Sequence, residues 1–260
     1  MNPRTPSFPM PGTYAIIQIN LHELPKLHNA FASLNLEDVP RGKKYLVCMG
    51  DPIELPLVDS QWCRYSVSFI GNTLRPEEPE AGIESNMVVP IFPCAVDGRP
   101  QVTPSPPLPF RDCYHWYGFE MGVCALGRRD RYPLNTAPQL SVADKMKIDK
   151  TFASDRRCIF SHQQNIQATS AQPISSTPPP SEEPRSDGGI EADHESASAG
   201  SDRSSYLDLP GLLGFDRNTD LRLASQVPLV KLWPDPENHL SAETIPDPRG
   251  FQKEAQNAQL

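Results

Sequence analysis

The composition of the chain changes abruptly near residue 160, and this change limits where a hydrophobic core can form. Residues 1–160 contain all six cysteines and 16 of the 20 aromatic residues, and their 17 basic residues balance 17 acidic residues. The whole net charge of −8 therefore falls on residues 161–260. A segment with few aromatic residues and unbalanced charge buries too little apolar surface to offset the entropy of ordering. The sequence predicts a folded N-terminal part and a solvated acidic tail.

The predicted organisation has three parts. Residues 1–12 form a proline-rich arm, 13–160 a folded α+β domain, and 161–260 a disordered acidic tail with short apolar segments near 207–215 and 227–233. The 30 prolines, and a hydrophobic content of only 38%, exclude a compact helical bundle. A domain of about 150 residues is large enough to form a core without disulfides or a metal.

Residue periodicity predicts antiparallel strands and about two helices in the domain. Strands are expected at Tyr14–Ile19, Tyr45–Met49 and Trp62–Ile70, an edge strand at Met87–Cys94, and a bent strand or hairpin at Cys113–Leu126. One helix is expected over 24–34, and a second should begin at the capping-box pattern Ser141-Val-Ala-Asp144 and run to about Phe152. The apolar segment Val227–Trp233 is expected to dock by strand addition, on the Met87–Cys94 edge or on a partner.

The six cysteines are expected to remain free thiols in the cytosol or nucleus. Met1–Gly12 reads as a proline-rich arm and lacks the features of a secretory signal, so we do not expect secretion. No Cys-x-x-Cys pair occurs, and Cys113-x-His115 alone cannot supply the four ligands of a zinc site. We therefore expect neither a metal nor a cofactor.

Cys113 and His115 are the only candidates for a catalytic pair. Residues i and i+2 of a strand share a face, so a thiol nucleophile and an imidazole base could meet there. The same face continues with the apolar residues Tyr117, Phe119 and Met121. This pattern favours the alternative, in which His115 is a hydrogen-bonded histidine at the edge of a core.

A short proline-rich segment is the best candidate for a partner-binding site. Pro106-Pro-Leu-Pro-Phe-Arg111 has the Pro-x-x-Pro-x-Arg form, which resembles the ligands of SH3 domains. Partner contacts are expected from Pro106, Leu108, Pro109 and Arg111, and in the tail from Leu229, Leu232 and Trp233. The alternative for the first segment is a loop that merely connects two strands.

These patterns favour a non-catalytic intracellular interaction or regulatory protein that acts through proline-rich and acidic-hydrophobic segments. A small enzyme that uses Cys113 and His115 is the first alternative. A nucleic-acid-associated factor is the second, based on basic clusters at 41–44 and 128–131, although the acidic tail would compete with phosphate for them. No membrane partner is expected, because apolar runs such as Tyr14–Ile19 are far too short to span a bilayer.

Overall fold

Apolar runs and alternating apolar residues form the strands of a computed structural model, which describes residues 9–20, 42–54, 62–126, 137–170 and 227–257. The strands are β1 Tyr14–Ile19, β2 Lys44–Pro52, β3 Trp62–Gly71, β4 Val88–Pro90, β5 Tyr114–Leu126 and β6 Leu229–Trp233. The helices are α1 Val142–Ser170 and α2 Arg249–Asn257. The α+β class is as predicted, whereas the helix expected over 24–34 and the apolar segment 207–215 lie outside the described residues.

Five of the six strands close into a ring. The sheet order is β3-β2-β1-β6-β5-β4, and β3 also pairs with β5, which joins the two ends of the five-stranded part. β4 remains outside this ring as an edge strand on β5, as its prolines predict. All pairings between the strands are antiparallel except that of β5 with β6, which is parallel. The sheet is therefore mixed, whereas the sequence analysis predicted antiparallel strands.

The alternating residues of the ring separate two hydrophobic cores. The interior contains the predicted buried face of β3, namely Cys63, Tyr65, Val67 and Phe69, with alternate residues of β1, β2, β5 and β6. α2 closes this core with Phe251, whose ring centroid lies 4.8 Å from that of Phe69. The outer faces of β1 and β2 form the second core with α1 and the loop before β5.

β5 bends sharply in its first half. Ser68 pairs with Glu120 but Ile70 pairs with His115, so four residues of β5 (116–119) lie opposite the single residue Phe69 of β3. Gly118 lies within this bulge with a φ of 72°, a left-handed conformation that disfavours residues with a side chain. The bent strand that the internal glycines predict is therefore present.

The C-terminal segment belongs to the fold, which corrects its assignment to the tail. β6 lies between β1 and β5, so it docks by strand pairing but not on the predicted edge at Met87–Cys94. Leu229, Val230 and Leu232 are buried there, and α2 follows within the same segment. Composition averaged over 161–260 missed this because a strand of five residues, four of them apolar, suffices to pair on both sides.

α1 begins as predicted and is longer than predicted. The Ser141 hydroxyl accepts a hydrogen bond from the backbone N–H of Asp144 at 3.0 Å and donates one to its carboxylate at 2.9 Å. The helix continues past Phe152 to Ser170, beyond the expected domain end at residue 160. It packs on the outer core through Ile148, Phe152 and Ile159. None of the described helices is long and apolar enough to cross a membrane.

Replacing Leu232 by alanine tests whether β6 is integral to the fold. Leu232 is 4% exposed inside the ring, whereas the neighbouring Lys231 is exposed. We expect Leu232→Ala to lower the free energy of unfolding by about 2–5 kcal/mol, measured by urea denaturation. The control Lys231→Ala should change it by no more than about 0.5 kcal/mol. Equal stability of the two variants would contradict the burial of β6.

Candidate functional site

The structure gives Cys113 and His115 different hydrogen-bond partners. His115 is buried on β5, and its Nε2 lies 2.8 Å from the hydroxyl of Tyr14 on β1. The Cys113 thiol, which precedes the strand, donates to the carbonyl oxygen of Arg111 at 3.5 Å. Burial lowers the pKa of His115 to about 3 and raises the pKa of Cys113 to about 12. Both shifts oppose a thiolate–imidazolium pair at neutral pH.

Alkylation of the thiols tests the catalytic hypothesis directly. Cys158 is exposed on α1, whereas Cys48 and Cys113 are buried and have pKa values raised by burial to about 12. At pH 8 iodoacetamide should label Cys158 in the folded protein, while Cys48 and Cys113 react only after unfolding. Peptide mass spectrometry measures each rate. Labelling of Cys113 as fast as Cys158 would support the enzyme alternative instead.

The buried His115 should also make stability depend on pH. In the unfolded chain it accepts a proton near its ordinary pKa of 6.5, whereas in the fold it does so only near pH 3. Acidification between these values favours unfolding by up to about 1.4 kcal/mol per pH unit. The variant His115→Gln should lose this part of the pH dependence in urea denaturation series.

An exposed histidine provides the control for this experiment. His162 lies on the surface of α1, so His162→Gln removes a histidine without removing a buried one. We expect this variant to keep the decline in stability that the wild type shows toward low pH. Parallel pH profiles of the wild type and His115→Gln would show that His115 makes no such contribution.

The proline-rich segment is anchored to the domain. Ser105 and Gln139 exchange two backbone hydrogen bonds of 2.9 and 3.1 Å, which attach the start of the segment near α1. Leu108 and Phe110 are buried in the outer core. The intervening Pro106, Pro107 and Pro109, and then Arg111, are exposed. Of the four residues expected to contact a partner, Leu108 is therefore occupied by the protein's own core.

The three partner-binding candidates in the C-terminal segment contact the protein itself. Leu229 and Leu232 are buried within the sheet. Trp233 is half-buried, with the ammonium of Lys44 lying 5.4 Å from its ring centroid and the ring of His239 at 4.9 Å. These side chains complete the fold, so the contact that the sequence predicts is intramolecular.

The bulge of β5 forms a cavity that sequence analysis did not anticipate. This bulge pocket has a volume of about 260 Å³ and lies between the bulge, the loop after β3 and the start of α2. Its lining residues include the aromatic Phe69, Phe119 and Phe251 and the charged Arg75 and Glu78. Elements distant in sequence converge here because the bulge moves β5 away from β3.

Arg75 is one of the charged residues that line the bulge pocket and is only 5% exposed. Its guanidinium donates to the carbonyl oxygen of Tyr117 and, at 3.2 Å, to the carboxylate of Glu78. The guanidinium carbon lies 5.3 Å from the ring centroid of Phe119. A Cβ at Gly118 would lie 3.4 Å from Nη1 of Arg75, an ordinary van der Waals contact, so the positive φ of Gly118 and not the approach of Arg75 is what favours glycine here.

The bonding of Arg75 is incomplete. Its Nε is buried and has no hydrogen-bond partner among the described residues. Burial lowers the pKa of the guanidinium, and the nearby Glu78 offsets part of this effect. In the sequence, Arg75 begins a proline-rich loop and belongs to no recognisable motif. The glycines inside β5 were the one sequence signal of the bulge that Arg75 contacts.

Comparisons of the chain with protein-family models, with curated proteins and with solved structures gave no match. Within the described ranges, no three His, Cys, Asp or Glu side chains converge to hold a metal ion. The candidate sites are therefore identified from the geometry of the described residues and not from a relative.

Proposed function

We propose that the protein is a non-catalytic interaction protein of the cytosol or nucleus, and that Pro106–Arg111 is its partner-binding segment. The observation that carries this proposal is the separation of side chains along the segment. Leu108 and Phe110 anchor it in the outer core, while Pro106, Pro109 and Arg111 remain exposed. The partner we infer is an SH3-type domain, whose ligands have this Pro-x-x-Pro-x-Arg form.

The anchoring of the segment supports its use in recognition. A segment held at Ser105 and by two buried side chains has lost most of its conformational freedom before it binds. Its ordering cost on binding is therefore smaller than that of a free peptide. The Arg111 guanidinium has no ion-pair partner within the described part of the chain, so it is available to an acidic surface.

The exposed residues also limit what a partner can contact. Leu108 is 6% exposed, so recognition depends on Pro106, Pro109 and Arg111 without it. A contact surface of three side chains is small, and we expect a Kd on the order of 10 μM for the matching domain. Leu229, Leu232 and Trp233 belong to the sheet. The partner-binding surface that we propose is therefore the proline-rich segment alone.

A panel of SH3 domains titrated with the full chain tests this proposal. Pro109→Ala removes a ring that would fill a partner groove, and Arg111→Ala removes the charge, so each should weaken binding roughly tenfold. Arg157→Ala is the matched control, because it removes an exposed arginine on α1. Calorimetry measures each Kd. If no domain distinguishes wild type from Pro109→Ala, the segment is only a connector.

A further inference from the structure

One side of α1 carries a line of apolar side chains that face solvent. Val142, Met146 and Phe160 are 76%, 65% and 44% exposed, and Ala153 between them is exposed as well. Their spacings of four and seven residues align these side chains along one side of a helix with about 3.6 residues per turn. The outer core contacts a different side of the helix, through residues such as Ile148. We call this solvent-facing line the α1 stripe; such an aligned set is typical of a helix that packs against a partner.

The charges beside the α1 stripe are mainly positive. Lys150 and Arg157 flank it on one side, where both are exposed and form no ion pair with another described residue. Lys145 and Arg156 flank it on the other side, and Lys145 already forms an ion pair. Asp149 is the one exposed acidic residue within Val142–Phe160. A partner that covers the stripe therefore meets cations on both sides, and acidic side chains complement them.

A second copy of α1 does not provide this complement. If two stripes packed together, the flanking residues of one helix would lie against those of the other. In an antiparallel pair, Lys150 would face Arg157 of the second copy. In a parallel pair, Lys145 would face Lys150 of the second copy. Both arrangements bring like charges together, which disfavours a dimer through this surface.

The chain has an acidic segment that also contains apolar residues. Residues 181–216 include nine acidic and two basic residues, and within them 207–215 contains four leucines and one phenylalanine. This segment lies outside the described residues. Its composition matches both features of the α1 stripe, because its apolar residues suit the stripe and its carboxylates suit the flanking cations.

The lengths of chain on either side allow residues 207–215 to reach the α1 stripe. α1 ends at Ser170, and the helix rises by about 36 Å from Met146 to that residue. Residues 171–206 can extend over more than about 100 Å, so they can return along the whole helix. The chain re-enters the described structure at 227, shortly before Trp233, which packs on the same outer core as α1. The connection from this side, 216–226, can span about 36 Å.

We propose that segment 181–216 binds the α1 stripe of its own chain, with the apolar residues of 207–215 on the stripe and the carboxylates beside the flanking cations. A weak contact is sufficient, because the chain holds the segment at an effective concentration in the mM range. A Kd on the order of 1 mM between separate molecules would then leave roughly half of the chains bound. The stripe uses no residue of Pro106–Arg111, so this contact does not depend on the proposed partner site.

The exposed Cys158 provides a position for a probe on α1. A nitroxide attached to this thiol in the full chain broadens the NMR signals of amides that come close to it. We expect the amide signals of 207–215 to lose at least about a third of their intensity relative to the reduced nitroxide, since roughly half of the chains are bound. Raising the salt concentration to about 0.5 M should restore most of this intensity, because salt screens the attraction between exposed charges.

A pair of matched variants tests whether the α1 stripe holds the segment. Met146→Glu combined with Lys150→Glu places negative charge on the stripe and should restore the signals of 207–215. Leu74→Glu combined with Lys253→Glu is the control, because it changes an exposed apolar residue and an exposed lysine away from α1 by the same net charge. The control should keep the broadening of the wild type. All four positions are exposed, so both variants are expected to fold.

The proposal is overturned by any of three results. One is equal intensity of the signals of 207–215 with the oxidised and the reduced nitroxide. Another is broadening in the variant with Met146→Glu and Lys150→Glu that matches the wild type. The third comes from mixing isotope-labelled Cys158→Ser chains with unlabelled chains that carry the nitroxide. Broadening in this mixture as strong as within one chain would show that the contact joins separate copies.

Discussion

The pairing of β6 with β1 and β5 is the interaction on which the rest of the structure depends. Without this strand the ring would be open, and the edges of β1 and β5 would expose unpaired backbone groups. The interior core would lose Val230 and Leu232. α2, which follows β6 and places Phe251 at the end of both the core and the bulge pocket, would lose its attachment. The closed sheet and the bulge pocket therefore both require the pairing of β6 with β1 and β5.

This closure joins parts of the chain that are distant in sequence. The hydroxyl of Tyr45 at the start of β2 donates to the carboxylate of Glu254 at 2.9 Å across a separation of 209 residues. The backbone N–H of Lys43 donates to the same side chain at 3.1 Å. Contacts of such separation form only after a large loss of chain entropy, so folding should be slow and cooperative.

The elements that the sequence predicted correctly are those with local causes. The apolar run of β1, the alternation in β3, the Ser141 cap of α1 and the prolines of β4 each act within a few residues. The inclusion of residues 227–257 was missed because the acidic surroundings of the segment masked its five-residue strand. The parallel pairing of β5 with β6 depends on where the ring closes, which no local pattern encodes.

The contrast between local patterns and distant contacts also applies to the segment Pro106–Arg111 and to the bulge pocket. The proline pattern was visible in the sequence, but the burial of Leu108, which removes it from any partner, depends on contacts made by the outer core. The glycines in β5 indicated a bulge, but nothing local showed that Arg75 would approach Gly118. In both places the core takes the apolar side chains, while Arg111 stays exposed at the surface and the Nε of Arg75 is buried without a hydrogen-bond partner among the described residues. Which polar groups are exposed and which are buried is thus set by the packing of the core around them.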